Sequence, residues 1–177
     1  MTPAARPSFR RYLLKTATAV TAAAALGGLS TDANSAWYRT LRKPRWQPPS
    51  QAFGLVWTPL YGLIAYSGAR ALTEETEEDG RARLRRAFAL NLALNAAWTP
   101  LFFAARAPRL ALADIVALNA SNVVLVRRFL RADRRAGLAL LPYAAWTLFA
   151  TALNVSIAVR NPNTRTPAIA AAARRRE

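Results

Sequence analysis

Long runs of Ala, Leu and Val that carry little charge, separated by blocks of Arg, are what most constrain the fold of this chain. Five such runs, at about 12–31, 50–71, 84–104, 108–129 and 137–159, match the roughly 20 residues that a helix needs to cross the hydrocarbon core of a bilayer. They are too long for strands and lack internal turn signals, so each reads as a helix. The expected fold class is all-α, an integral membrane bundle of five transmembrane helices over residues 12–160. A basic segment at 1–11 precedes the bundle and a basic tail at 161–177 follows it.

Lys and Arg number 25 against 9 Asp and Glu, a net charge of +16. Spread over helix faces, that excess would point to nucleic acid. Confined between apolar runs, it is the pattern of a polytopic membrane protein, whose partner is the lipid bilayer and not nucleic acid. The chain has neither Cys nor His. Thiol nucleophiles, Ser-His-Asp triads and zinc or haem iron held by His or Cys are thereby excluded, and no metal site is expected. Only Asp114 among the acids falls inside an apolar run, so a pair of carboxylates for acid-base work is hard to build.

Counting Lys and Arg on alternate sides of the spans gives about 14 with the N-terminus and about 11 opposite, which favours a cytoplasmic N-terminus. The acidic stretch "EETEED" at 74–79 reads as solvated loop. The first run has a rival reading. Arg6, Arg10, Arg11 and Lys15 precede it and "ANSA" at 33–36 resembles a cleavage site, as in a signal peptide.

The segment "WYRTLRKPRWQPPSQAFGLVW", Trp37 to Trp57, gathers three Trp, four cations and three Pro without an acid. Trp, Tyr, Arg and Lys favour the headgroup level, so an interfacial belt is one reading. Pro44, Pro48 and Pro49 fix φ and forbid a continuous helix, a stiffness that suits a lid over the mouth of the bundle instead.

This segment resembles the signature of the TspO/MBR family, the tryptophan-rich sensory proteins related to the mitochondrial translocator protein. Trp37, Tyr38, Leu41, Lys43, Pro44, Trp46, Pro48, Pro49, Gly54, Val56 and Trp57 fall on the family pattern. "LNLALNAAWTPLFF" in the third run, Pro108, Ala111, Leu112 and Asp114 in the fourth, and "LLPYAAWTLFATALN" in the fifth extend the resemblance over 37–160. It implies a retained first helix, five spans, a dimeric habit, and a pocket under the first long loop that accepts porphyrin or haem. In animal members that pocket also takes cholesterol. Bacterial members are linked to porphyrin regulation, and light-dependent porphyrin breakdown has been proposed for some. A bacterial cell membrane is the expected location.

A porphyrin is a flat π-system with two propionates, so it needs aromatic faces, an apolar slot and nearby cations. Trp57 and Tyr61 share a helix face, as do Asn91, Asn95 and Trp98, and Trp146, Ala150 and Asn154. With Tyr38 and Trp46 from the loop, the expected ligand contacts are Tyr38, Trp46, Trp57, Asn91, Asn95, Trp98 and Trp146. Arg39, Arg42, Lys43 and Arg45 are the expected partners of the propionates at the entry. No cofactor is required; porphyrin or haem is the ligand, recognised through its ring.

Other readings stand beside these. Trp57 and Trp146 would be redox-active if the protein oxidised bound porphyrin, and otherwise serve as packing rings. Transport coupled to an ion would have to use Asp114, which also suits a helix start as a purely structural carboxylate. Intramembrane Asn residues commonly bond between helices, and Asn119, Ser121 and Asn122 read that way. Pro59, Pro100 and Pro142 either shape the cavity or only kink helices. Ala89, Ala93 and Ala97 form a small-residue stripe opposite Asn91 and Asn95, the expected face for a homodimer. A sterol motif near the end of the fifth run is broken by Val155 where a Tyr is expected, so sterol binding is not favoured.

Overall fold

The computed structural model describes residues 8–162, all of whose regular structure is helical. The chain runs through α1 (Phe9–Ser30), a short α2 (Ala36–Thr40), α3 (Ser50–Glu74) and α4 (Glu78–Thr99), which a wider π turn (Pro100–Ala104) prolongs. It continues as α5 (Pro108–Ala132), α6 (Arg134–Ala139) and α7 (Leu141–Arg160). Residues 1–7 and the tail beyond 162 lie outside the described residues, and with them most of the two flanking basic segments.

Local chemistry sets the helix starts. Pro49, with φ −60°, fixes the entry to α3, and Pro108 stands in the first turn of α5, where a missing N–H costs nothing. Glu78 and Asp79 open α4, where carboxylates meet the positive end of the helix dipole. The acidic loop expected at 74–79 is thus shorter than anticipated: only Glu75–Glu77 lie outside a helix. Similarly Asp133 alone separates α5 from α6, where a longer loop was expected. The fifth run is broken at Leu140 into α6 and α7, with Pro142 in the new first turn.

Four of the five long helical runs are long and apolar enough to cross a membrane: Phe9–Ser30, Glu78–Ala104, Pro108–Ala132 and Arg134–Arg160. α3, the second expected span, has the length at 25 residues but reaches a lower hydropathy. Its Trp, Tyr, Ser and Thr residues and Arg70 dilute the aliphatic content. The count of five spans thus reduces to four on hydropathy, with α3 packed lengthwise against α1.

Between 17% and 33% of each apolar window is buried inside the bundle, so most of the apolar surface faces outward. Leu14, Leu29, Leu55, Leu90, Val116, Leu148 and Val159 are all exposed, on five different helices. In water a surface of this kind would drive association; facing acyl chains it costs nothing. The fold is that of a helical membrane protein.

Helix contacts inside the bundle are close and specific. Gly68 on α3 lets Thr16 of α1 and Phe88 of α4 approach to where a Cβ would lie only 3.1 and 3.0 Å away. Thr16 Oγ1 uses that proximity to donate to the Ala65 carbonyl at 2.8 Å. At the same end, Asp133 accepts from Arg70 Nε at 3.1 Å and Nη2 at 2.8 Å and also caps α6 by accepting from Ala136 N at 2.7 Å.

Asp133→Ala removes both the cap and the paired anion and is expected to lower stability by about 1.5 kcal/mol. The bond from Arg70 holds the Asp133 carboxyl below the ordinary range, despite partial burial. Its contribution is therefore complete above the ordinary value of 3.8 and is lost as pH falls through the folded one. Thermal unfolding of the two proteins in detergent should differ at neutral pH and converge in strong acid. A gap that stays constant with pH would contradict the ion-pair part.

Candidate functional site

The π turn begins at Pro100 because proline has no N–H to return to the Ala96 carbonyl and its ring crowds that turn. Ala105 N instead reaches back five residues to the Pro100 carbonyl at 2.8 Å. The wider turn sets Phe102 and Phe103 around Trp98. Trp98 and Phe102 stack with centroids 5.1 Å apart, and Phe103 meets Phe102 edge-on at 5.0 Å.

This cluster anchors the loop expected to act as a lid. Ser35 caps α2 by accepting from Tyr38 N, and the one-turn helix places Trp37 and Tyr38 against Phe102 at 5.8 and 6.3 Å. Tyr38 also meets Phe103 at 5.2 Å. Leu41 and Pro44 are buried. Gln47 Nε2 donates to the Tyr38 hydroxyl at 3.1 Å, and Lys43 Nζ lies 3.8 Å over the Tyr38 ring, a cation–π contact. Burial pushes the Tyr38 phenol up, against the opposing effect of the Gln47 bond, and burial lowers the Lys43 ammonium. At the end of α7, Asn161 accepts from Arg42 N and donates to the Arg42 carbonyl, each at 3.0 Å. Rings on one side and an amide clamp on the other hold the lid.

Beneath the lid lies a cavity of about 500 Å³, within the range typical of small-molecule sites. α1 contributes small residues, Ala24, Gly27 and Gly28, which leave room. α3 contributes Phe53, Trp57 and Tyr61; α4 and its π turn contribute Asn95, Trp98, Phe102 and Phe103. α7 contributes Trp146, Ala150 and Asn154. Trp57 stacks on Tyr61 at 5.1 Å, and Trp98 Nε1 donates to Asn154 Oδ1 at 3.0 Å, fixing both indoles. Trp146 stacks on Phe149 at 5.1 Å and meets Phe53 edge-on at 5.9 Å. Its Nε1 is buried and has no hydrogen-bond partner among the described residues, a donor that a ligand acceptor could satisfy.

Of the residues expected to contact a ligand, Tyr38, Trp57, Asn95, Trp98 and Trp146 are brought together in the cavity wall. Trp46 and Asn91 are not. Trp46 is 49% exposed and reaches the site only through Phe149, whose ring it meets at 5.7 Å. Asn91 is fully buried one turn below Asn95, and its amide is committed to other helices. Asn91 Nδ2 donates to Asn122 Oδ1 at 2.7 Å and Ser121 Oγ at 3.1 Å, while its Oδ1 accepts from the Tyr143 hydroxyl at 3.2 Å. Tyr143 in turn accepts from Asn95 Nδ2 at 3.2 Å, linking this network to the wall. Asn122 continues it to Thr147 at 2.8 Å, and Asn119 to Thr151 at 2.7 Å.

Arg39, Arg42 and Arg45 are exposed on the lid, and neither they nor Lys43 lines the cavity. Asp114 also lies off the cavity, with a buried Oδ2 that has no partner among the described residues. No group of three or more metal-ligating side chains occurs among the described residues. Ala89 and Ala93 are exposed and Ala97 half-buried on the outer face of α4. The spacing argument did not single out Phe53, Phe102, Phe103 or Phe149. The proline in "WTPLFF" was the available sign that the chain turns there.

Comparison with known proteins places this geometry in context. The profile of the TspO/MBR family matches residues 16–160. A "Tryptophan-rich protein TspO" of Archaeoglobus fulgidus is 38% identical over 125 residues, covering 71% of this chain and 80% of that protein. The "Tryptophan-rich sensory protein" of Cereibacter sphaeroides is 34% identical over 118 residues, 67% of this chain and 72% of its own length. The human "Translocator protein" is 33% identical over 122 residues, covering 68% and 72% respectively.

Proposed function

The chain belongs to the TspO/MBR family, and from that premise we propose that it is a membrane sensor or regulator that binds a tetrapyrrole in the cavity beneath its lid. One observation carries the reading: three indoles, Trp57, Trp98 and Trp146, wall a single cavity, and the buried Trp146 N–H has no partner among the described residues. A flat π-system gains most from such faces, through offset and edge-on contacts. Arg39, Arg42 and Arg45, exposed on the lid, suit propionates that remain near water. Without His or Cys, the ring and not an axial bond to iron is what the site recognises.

The orientation that follows from the charge bias has the N-terminus in the cytoplasm and the lid on the opposite side. A homodimer formed through Ala89, Ala93 and Ala97 of α4 is part of the same reading, since that face is open while Asn91 and Asn95 face inward.

Titrating the intrinsic tryptophan fluorescence of the purified protein with protoporphyrin IX, haem and a sterol tests the proposal. Saturable quenching by both tetrapyrroles at lower concentrations than the sterol is expected. Equal quenching by all three, or none, would overturn it. The placing of Trp57 and Trp146 in one wall also favours a second reading, porphyrin oxidation. Loss of the porphyrin Soret band in light, abolished by Trp57→Phe or Trp146→Phe, would distinguish the enzyme from the sensor.

A further inference from the structure

A second cavity, of about 390 Å³, opens at the other end of the bundle between the start of α1, the end of α3 and the start of α4. Along α1, Lys15 in this cavity and Gly27 in the first are 12 residues apart, about 18 Å of helix. The two are separate sites. The lining of the second divides by chemistry. Arg11, Lys15 and Arg85 supply three cations and Tyr12 a hydroxyl, while Ala19, Leu72 and Phe88 form an apolar floor. Glu78 is the one acid in the lining, and it is already shared between Arg85 at 2.8 Å and Arg81 at 2.9 Å. Arg11 and Lys15 have no carboxylate within ion-pair distance among the described residues. Three cations against one committed acid leave this cavity positive.

Several features identify the anion that would fit. The cavity sits where three helices end, at the depth of the headgroups for a chain that spans the bilayer. Arg and Lys together suit a phosphate, Arg through a planar fork and Lys as a point charge. The apolar floor would repel a free, fully hydrated anion but suits one attached to hydrocarbon. Beside Lys15, Leu14 is 72% exposed on the outer surface of α1, where an acyl chain could lie.

We propose that this cavity holds the phosphate headgroup of an anionic phospholipid. Arg11, Lys15 and Arg85 ligate the phosphate, Tyr12 donates to it, and the acyl chains run along α1. Thr16, which the cavity shares with the α1–α3 contact, and Phe88 couple occupancy to packing of the first three long helices.

Native mass spectrometry of the full chain in detergent, offered equal phosphatidylglycerol and phosphatidylcholine, tests this. Retention of phosphatidylglycerol is expected to exceed that of phosphatidylcholine by roughly 30- to 150-fold, the order set by two to three juxtamembrane cations. Arg11→Gln/Lys15→Gln should bring the ratio to near one. Both side chains are exposed, so folding should survive. Arg127→Gln/Arg134→Gln, an equal charge loss at the same end but off the cavity, should leave the preference intact. Equal loss in both double variants would overturn the proposal in favour of diffuse surface charge. Displacement of the lipid by glycerol 3-phosphate at similar concentration would overturn it in favour of a free-phosphate site. Protoporphyrin quenching of the Arg11→Gln/Lys15→Gln protein reports on the other cavity, so either proposal can fail alone.

Discussion

Asn122→Leu is expected to destabilise the bundle by about 2–3 kcal/mol, more than any single lid substitution. Asn122 is 2% exposed and joins three helices: its Oδ1 accepts from Asn91 on α4 and its Nδ2 donates to Thr147 on α7. Leucine keeps the branched shape but removes both bonds, so Asn91 Nδ2, itself fully buried, retains only the longer one to Ser121 Oγ. A buried group left wholly without a partner costs about 1–3 kcal/mol in a protein interior, and one that loses its better partner forfeits part of that. Interhelical bonds in membranes average only about 0.6 kcal/mol, because the separated helices also find partners. The higher range applies here because Asn91 also holds Tyr143, which holds Asn95, so one substitution loosens a chain of bonds. Thermal unfolding in detergent measures the loss. A change below about 0.5 kcal/mol would mean that the network is redundant with packing. Because Asn95 lies in the cavity wall, ligand affinity should fall together with stability.

Much of this architecture could be read from helical spacing. Trp146, Ala150 and Asn154 recur every four residues and all three line the cavity, as do Trp57 with Tyr61 and Asn95 with Trp98. Spacing fixes which face a side chain occupies, and the faces converged. It does not fix depth. Asn91 and Asn95 share a face, but only Asn95 stands at the level of the cavity, while Asn91 lies a turn deeper among Ser121, Asn122 and Tyr143. Trp46 sits in a segment without periodicity, and its position depends on Phe149 of a distant helix. Phe102, four residues after Trp98, continues the face of Asn91, Asn95 and Trp98 and was legible by spacing, whereas Phe103 joins the wall because the π turn changes the angular step that a helical wheel assumes. The break at Leu140 and the single-residue joint at Asp133 depend likewise on tertiary partners, Arg70 among them.

Ala150→Phe should weaken tetrapyrrole binding by more than about 100-fold while leaving the fold intact. Ala150 is the small residue one turn beyond Trp146 on α7, half-buried in the cavity wall and packed against the main core. Adding a ring inside a well-packed core normally costs about 1–3 kcal/mol. Here the ring can enter the cavity of about 500 Å³ instead of displacing neighbours, so the cost to the fold is smaller. The cost to the ligand is larger, because a rigid plane cannot reshape itself around an obstacle placed between Trp57, Trp98 and Trp146. Ala145, one position before Trp146, is exposed on the outer surface of the same helix and provides the matched control.

The decisive measurement is a protoporphyrin IX titration of tryptophan fluorescence on the wild-type, Ala150→Phe and Ala145→Phe proteins, with thermal unfolding recorded for each. A ligand seated beneath the lid requires saturable quenching in the wild-type and Ala145→Phe proteins, and none in an equally stable Ala150→Phe. Equal affinity in all three would place the porphyrin somewhere other than this cavity.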